Sequence, residues 1–331
     1  MIPRLNISFS LRRQWQYWFG TPYVAREGEY LLNHARSGIV MALRAVLQNG
    51  GKVGVVAYNC HTVANAVVNA GCTLVFMDVT ENLRIDVEMV PRDLDAIVVT
   101  NLFGIRNDIS AIHKRCPKAI IIVDNAHGYG LPMEGDFTVY SINQGKFPAL
   151  GEGGILVVKS PISNLKSQID KAYNALSRYG FVAQIRLFVS MLVKAFAYSR
   201  CVYWLTLRMK KGASPEVHQS VVMKQMAPGI RRLYKAWLPL AEQEIAAQRA
   251  NAAKIADMGY ETIKSDNAFM AIIRTNDVAA AKADFAKRGI ETETHFARCI
   301  EWATEFGYLP GSCPMAERLT KQLLMIPTYK R

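Results

Sequence analysis

The sequence lacks the features that mark several classes of protein. Its six cysteines are scattered and form no C-x-x-C pair, which fits reduced thiols in a cytoplasmic protein better than a disulfide framework. An Arg/Lys-rich tail and zinc-finger spacing are both missing, so nothing supports a nucleic-acid partner. The sequence contains neither an internal repeat nor a low-complexity segment, and its first 20 residues lack the long apolar stretch of a signal peptide.

Acidic residues are scarce relative to basic ones. The 331 residues include 40 Lys and Arg but 27 Asp and Glu, a formal net charge of +13. This balance favours anionic partners, such as acidic lipids or phosphorylated small molecules. Half of the residues are hydrophobic, which is enough for one large core and a smaller satellite domain.

Short apolar runs alternate with helical stretches between residues 53 and 160. The predicted strands are Val53–Tyr58, Thr73–Val79, Asp95–Thr100, Lys118–Asp124, Asp136–Ile142 and Gly154–Lys159. Predicted helices such as His61–Ala70 and Ile109–Arg115 lie between them. Runs rich in Val and Ile, separated by helices, indicate a mostly parallel α/β sheet that is buried on both faces.

The second half of the chain has a different pattern. Residues 163–259 are predicted to be mostly helical, and a mixed pattern then returns, with strands at Ala268–Arg274 and near Ile290–Thr294 and helices at Val278–Arg288 and Pro314–Leu323. We therefore expect an N-terminal arm over residues 1–30, a large domain over 31–230 and a smaller C-terminal α/β domain over 231–331.

One helical stretch, Phe181–Leu207, combines a very apolar composition with basic residues. At about 100° per residue, the side chains of four of them project within roughly 60° of one direction: Arg186, Lys194, Arg200 and Arg208. The uncharged runs are shorter than the ~20 residues of a membrane span. Two interpretations stay open: a buried helix whose basic face reaches solvent, or a segment of about residues 181–211 that lies on the anionic inner face of a membrane.

The surroundings of Lys146 point to a reaction. Lys146 follows Ser141 by five residues and precedes the glycine-rich stretch Gly151–Gly154, while an apolar run upstream ends in Asp124, with His127 just beyond. In a parallel sheet these residues all reach the edge where ligands bind. An amine, a carboxylate and a hydroxyl at one edge are what pyridoxal phosphate (PLP) requires for its aldehyde, ring nitrogen and phosphate. Taken singly, each residue also has an ordinary explanation, such as a solvated lysine or a strand-end aspartate.

Two helix starts supply further candidates. The stretch Ala35–Leu43 is typical of a loop entering a helix, whose N–H groups bind anions. Ser37 and Gly38 are therefore candidate phosphate contacts, although Ser37 could equally be a simple N-cap. A side chain from Cys60 or His61, which open another helix, could lie against the cofactor ring.

These segments, in this order, resemble the DegT/DnrJ/StrS-type sugar aminotransferases, which are PLP-dependent enzymes of fold type I. The resemblance covers most of the chain from about Asn33. It is carried by Ala35–Leu43, Val55–Asp78, Val99–Gly104, Asp124–Gly130, Ser141–Gly154, Gly311–Leu319 and Leu324–Pro327. It implies a large domain with a mostly parallel sheet and helices on its faces, followed by a smaller C-terminal α/β domain.

The resemblance also implies roles for individual residues. Lys146 matches the lysine that bonds the cofactor aldehyde, Asp124 the partner of the ring nitrogen, and His127 the residue near the ring oxygen. Ser141 and the backbone of Ser37 and Gly38 match the phosphate contacts. The implied reaction moves an amino group from glutamate or glutamine to a nucleotide-linked keto sugar, for cell-surface polysaccharide or a related glycan. The implied assembly is a homodimer with active sites at the subunit interface, and no metal site is implied.

The chain departs from the family pattern at two places. The family often has an aromatic ring where this chain has Cys60 or His61, and the region Lys211–Arg232 lacks the asparagine that many members supply to the partner subunit. Arg231 and Arg232 are candidate replacements for that phosphate contact. Two alternatives to a transaminase therefore stay open. One is sugar dehydration, against which Lys146 argues because related dehydratases typically have histidine in place of the lysine; the other is a regulatory or membrane-associated scaffold with the same fold.

Overall fold

A seven-stranded sheet forms the centre of the protein. The computed structural model describes residues 11–159, 163–199, 202–203 and 216–329. The sheet has the order β1-β7-β6-β5-β4-β2-β3. Its strands are β1 (Glu29–Leu32), β2 (Lys52–Val56), β3 (Thr73–Met77), β4 (Ala96–Thr100), β5 (Ile120–Asn125), β6 (Phe137–Ser141) and β7 (Gly154–Val158). Strands β2 to β6 run parallel, whereas β7 pairs antiparallel with β6 and β1, so the predicted mostly parallel sheet is confirmed.

Helices cover both faces of this sheet. They are α1 (Leu11–Phe19), α2 (Ala35–Val46), α3 (His61–Asn69), α4 (Ile109–Arg115), α5 (Ser163–Asn174), α6 (Phe181–Ala197) and α7 (Pro228–Trp237). Along β4, Val98 packs into the core under α2 and α3, while Ile97 and Val99 pack into the core on the other face. Because successive side chains of a strand point to opposite faces, both faces need apolar residues, which explains the continuous apolar runs of the sequence.

The smaller α/β unit follows in the chain. Its antiparallel sheet has the order β10-β9-β8, with β8 (Glu261–Ile263), β9 (Met270–Arg274) and β10 (Leu323–Pro327), and its helices are α8 (Ala241–Ala256), α9 (Val278–Lys287), α10 (Cys299–Thr304) and α11 (Pro314–Leu319). Asn267, just before β9, donates its side-chain amide to the carbonyl of His127 over 2.8 Å. This bond joins the smaller unit to the edge of the large sheet where the candidate site residues lie.

The predicted strands of the large sheet coincide in position with β2 to β7. The sequence did not reveal β1, a four-residue edge strand, or β8. The strand predicted near Ile290–Thr294 is wrong, because only Glu293 pairs there, in an isolated bridge to Met325 of the edge strand β10. The helix predicted over Pro314–Leu323 ends at Leu319, and β10 begins at Leu323, where its residues are buried against β9.

Helix α6 buries little of its surface. Met191 is its one buried residue, and its large exposed apolar side chains are Phe181, Val182, Ile185, Val189, Val193 and Phe196. The solvent-facing side of α6 is therefore largely apolar, which corrects the interpretation of a buried helix that shows solvent a basic face. Of the four basic residues predicted to share a face, Arg186 and Lys194 lie on α6, while Arg200 and Arg208 fall outside the described residues. In the part of the chain that the structure describes, no helix is long and apolar enough to cross a membrane.

Candidate active site

A cavity of ≈ 190 Å³ lies at the carboxyl ends of the parallel strands. Thr100 ends β4, Asp124 lies near the end of β5, and the loop that follows β6 carries Lys146. The polar residues that line the cavity are His34, Arg36, Asn59, Cys60, Thr62, Thr100, Asp124, His127, Ser141, Asn143, Gln144 and Lys146. The sheet thus brings five of the predicted site residues into one cavity: Lys146, Asp124, His127, Ser141 and Cys60.

The amine of Lys146 lies 2.6 Å from His127 Nε2. Burial lowers the pKa of this amine, and Cys60 and Asp124 oppose that change. The cause is desolvation, since a buried site disfavours the charged form of lysine. An amine with a lowered pKa is more often neutral, and therefore nucleophilic, near neutral pH.

The hydrogen bonds of His127 define its tautomer. The backbone N–H of Phe103 donates to His127 Nδ1 over 3.2 Å, so this nitrogen carries no proton. A neutral imidazole then carries its proton on Nε2, and that proton points to the lone pair of the Lys146 amine. Burial holds the pKa of His127 well below its usual value, with Lys146 and His295 adding to the effect. The geometry therefore pairs an imidazole that donates through Nε2–H with the Lys146 amine as acceptor.

Aromatic side chains hold the His127 ring in place. The ring stacks on Phe103 at a centroid distance of 5.3 Å and on Phe269 at 4.8 Å, with interplanar angles of 18° and 17°. Phe269 comes from the smaller unit, so the orientation of the imidazole depends on how the two units pack. This stack also excludes water from the imidazole, which is the cause of its lowered pKa.

Asp124 is a buried carboxyl group in the wall of the cavity. Its Oδ1 accepts the backbone N–H of Ala126 over 2.9 Å. Burial raises the pKa of Asp124, while the Ala126 N–H, Lys146 and the Thr100 hydroxyl act to lower it. A buried carboxylate is stabilised by a nearby cation, and a protonated ring nitrogen in the cavity would supply one.

Ser37 and Gly38 lie in the first turn of α2, but they do not line the cavity. The Ser37 hydroxyl donates to Asn33 Oδ1 over 2.9 Å, which fixes the turn before the helix. A Cβ on Gly38 would lie 2.9 Å from Val139 Cγ1, so glycine lets α2 approach the sheet closely. The residues of this helix start that do line the cavity are Ala35 and Arg36.

Cys60 and His61 also differ in position. Cys60 occupies the N-cap position of α3 and lines the cavity. His61 is not among the lining residues of this cavity; its ring packs edge-on against Trp302 at a centroid distance of 4.9 Å. Its buried Nδ1 has no hydrogen-bond partner among the described residues.

Three polar residues that line the cavity were not predicted from the sequence: His34, Arg36 and Asn143. Asn143 Oδ1 accepts the N–H of Gly153 over 2.8 Å, which turns its Nδ2 toward His34 Nδ1 at 3.1 Å. Burial, with the charge of Arg36, lowers the pKa of His34 to about 4. The sequence offered one signal, since His34 and Arg36 stand next to the predicted helix start.

The sequence offered Arg231 and Arg232 as replacements for a phosphate contact. In the structure both residues instead hold α7 against the N-terminal part of the same subunit. Arg231 Nε donates to the carbonyl of Tyr23 over 2.9 Å, and Arg232 Nη1 donates to that of Tyr17 over 3.3 Å. Neither residue lines the cavity of its own subunit. The described residues also contain no group of three or more His, Cys, Asp or Glu side chains that could hold a metal ion.

Comparison with solved structures shows where this fold occurs. The sugar aminotransferase CalS13 from Micromonospora echinospora superposes with a TM-score of 0.74 at 15% identity, covering 99% of this chain and 95% of that one. The aminotransferase TlmJ from Streptoalloteichus hindustanus gives 0.73 at 16% identity, with 99% and 94% covered. A DegT/DnrJ/EryC1/StrS aminotransferase from Brucella abortus gives 0.67 at 18% identity, with 91% and 80% covered. At sequence identities of 15–18%, these structural similarities establish the fold of the chain.

Comparison of sequences settles the family. A search of curated proteins finds no match. The sequence model of the DegT/DnrJ/EryC1/StrS aminotransferase family, in contrast, matches residues 30–202, which is more than half of the 331 residues. The expected fold type and cofactor are confirmed. The chain belongs to the DegT/DnrJ/EryC1/StrS family and is a PLP-dependent aminotransferase.

Proposed function

We propose that the protein transfers an amino group from glutamate to a nucleotide-linked keto sugar, for the synthesis of a cell-surface polysaccharide or related glycan. The observation that carries the transamination chemistry is the buried Lys146 amine, 2.6 Å from His127 Nε2, in a cavity that also contains the buried Asp124. The sugar acceptor is supported by CalS13, a sugar aminotransferase of similar fold. The net charge of +13 suits a diphosphate-bearing substrate.

The residues of the cavity fit PLP by their chemistry. The amine of Lys146 suits the cofactor aldehyde, the carboxylate of Asp124 suits the ring nitrogen, and the hydroxyl of Ser141 with the start of α2 suits the phosphate. Ser37 and Gly38 act indirectly, because they set the position of that helix start. When bound, PLP supplies an aldehyde that takes up amino groups and a conjugated ring that accommodates the electron pair of a substrate carbon.

Lys146 and its neighbours then handle the protons. Lys146 Nζ, when free, takes the proton from the α-carbon of the amino donor, and it can do so because burial keeps its pKa low. His127 Nε2–H orients the lone pair of Nζ. Asp124, desolvated in the wall of the cavity, would hold a proton on the ring nitrogen by charge attraction. Cys60, at the start of α3, lines the same cavity and would lie beside the ring.

A lysine substitution tests this assignment. We expect Lys146→Ala to lose both the visible absorbance of bound PLP and transamination, while Lys114→Ala, an exposed lysine of α4, keeps both. Incubation of the wild type with glutamate and a panel of nucleotide-linked keto sugars should yield an amino sugar. Retention of absorbance and turnover by the Lys146 variant would remove this residue from its role. A dehydrated sugar as product would instead favour the dehydratase alternative.

A second property, attachment to a membrane surface, is supported by an exposed apolar patch. The α1–α6 apolar surface consists of Trp15, Phe19, Phe181, Val182, Ile185, Val189, Val193 and Phe196, all exposed. Ring contacts of Trp18 with Phe181 and of Tyr17 with Phe188 place α1 beside α6. Exposed Arg186 lies on the same helix. Apolar and aromatic side chains flanked by basic residues suit the interface of an anionic bilayer.

Vesicle flotation tests the attachment. We expect the protein to float with phosphatidylglycerol-containing vesicles in low salt, and not with pure phosphatidylcholine vesicles. Val189→Glu combined with Val193→Glu should abolish flotation, whereas Leu309→Glu, which changes an exposed apolar residue elsewhere, should not. If the double variant changes subunit association and leaves flotation intact, the surface is a subunit contact instead.

Two further properties complete the proposal. We expect a homodimer with active sites at the subunit interface, which light scattering coupled to size-exclusion chromatography can measure. We also place the protein in the cytoplasm, at the inner face of the membrane. The free thiols of Cys60, Cys72, Cys116, Cys299 and Cys313 support a reducing compartment.

A further inference from the structure

Arg36 is a cation in the wall of the cavity. It is the second residue of α2, and its side chain is partly buried. No hydrogen bond or ion pair joins its guanidinium to any residue that the structure describes. A guanidinium has five N–H donors and cannot lose its charge in a protein, so one held in a cavity wall suits an anionic ligand.

The helices around Arg36 make the position more positive. Arg36 is in the first turn of α2, and Cys60, the N-cap of α3, lines the same cavity. Because a helix N-terminus carries a partial positive charge, a cation beside two of them is unfavourable until an anion binds. Arg36 also helps to lower the pKa values of His34 and His61, in addition to the effect of their burial.

Glu152, a carboxylate that could pair with Arg36, is engaged elsewhere. The carboxylate of Glu152 acts on Arg36 through space, but it accepts a hydrogen bond from the Tyr179 hydroxyl. Burial raises the pKa of Glu152. The two side chains form no ion pair, so the guanidinium keeps its donors for a ligand.

The other basic residues of the lining cannot replace this charge. His34 and His127 are neutral because burial lowers their pKa values, and Lys146 faces His127. Among the described lining residues, Arg36 therefore carries the permanent positive charge. A phosphate monoester carries about −1.5 to −2 charges at pH 7, which demands such a partner.

We propose that Arg36 binds the 5′-phosphate of PLP, together with the N–H groups at the start of α2 and the hydroxyl of Ser141. This assignment rests on the proposed function only in placing the phosphate at the start of α2. A guanidinium forms paired, charge-assisted hydrogen bonds to phosphate oxygens. Arg36 is therefore a cofactor-binding residue that makes the site select a phosphorylated ligand.

Comparing PLP with pyridoxal, which lacks the phosphate, tests the role directly. The apoprotein is titrated with each compound, and binding is followed by visible absorbance. We expect Arg36→Ala to weaken PLP binding roughly 10- to 100-fold, the loss of hydrogen bonds to a charged group, and to leave pyridoxal binding unchanged. Arg36→Lys should recover part of the loss. Arg44→Ala, at the exposed far end of the same helix, should bind both compounds as the wild type does.

Other results would overturn the proposal. An equal loss for PLP and pyridoxal would mean a structural role, and unchanged PLP binding with a raised KM for glutamate would assign Arg36 to the donor carboxylate. The titration needs no turnover. A protein that distinguishes PLP from pyridoxal through Arg36 but aminates no keto sugar would therefore refute the proposed substrate and leave this assignment intact.

Discussion

Neutral His34 should make the apoprotein sensitive to acid. Desolvation, with the charge of Arg36, lowers the pKa of His34 from its usual 6.5 to about 4. Between these values the unfolded chain binds a proton that the folded chain does not. The contribution of neutral His34 to the free energy of unfolding is therefore fully present above pH 6.5. It decreases as the pH falls and is lost as the pH passes through about 4. Removing the ring should remove this contribution.

The size of the effect follows from the displacement of the pKa. Each pKa unit corresponds to ~1.4 kcal/mol, so the lowering from 6.5 to about 4 lets His34 account for at most about 3.5 kcal/mol of the stability difference between pH 7 and pH 4. Because the ring is partly exposed, solvent screening reduces this to roughly 1–3 kcal/mol. Glutamine at position 34 keeps a donor and acceptor for Asn143 but does not titrate.

Urea unfolding at a series of pH values checks this expectation. Relative to His34→Gln, the wild-type apoprotein should lose roughly 1–3 kcal/mol between pH 7 and pH 4. Buried His127 and half-buried His61 contribute equally to both proteins and cancel in the comparison. His113→Gln, an exposed position of α4, should follow the wild-type curve. Parallel curves for the wild type and His34→Gln would refute the view that His34 is neutral in the fold.

Two further predictions concern catalysis and packing. Asp124→Asn should lower kcat roughly 100- to 1,000-fold, the loss of a single preorganised electrostatic contact, and shift the visible spectrum of bound PLP; an unchanged spectrum would place Asp124 away from the ring. Gly229→Ala should cost about 3 kcal/mol, since its Cβ would lie 2.3 Å from the Tyr17 ring. Gly180→Ala, with nothing within 4 Å, should cost at most about 1 kcal/mol; equal urea midpoints for the two variants would contradict this.

The positions of the central strands could be predicted because they depend on local composition. Both cores need apolar side chains along β2 to β7, and such runs are visible in the sequence. The edge strand β1 lacks this signal, since its four residues are too few to show a period. The false strand near residue 290 has a different cause: its residues suit a strand, but only Glu293 pairs with the edge strand β10.

The sequence by itself determined which chemical groups gather at the cavity, because Asp124, Ser141 and Lys146 all lie at or just after strand ends. Parallel strands deliver such residues to one edge whatever the details of packing. Only the tertiary structure decided which face of each helix start meets the cavity. On α2, the phase of the first turn directs Arg36 to the cavity and Ser37 to Asn33. The stack of Phe103, His127 and Phe269 joins residues far apart in the chain, so its effect on the Lys146 amine follows from folding alone.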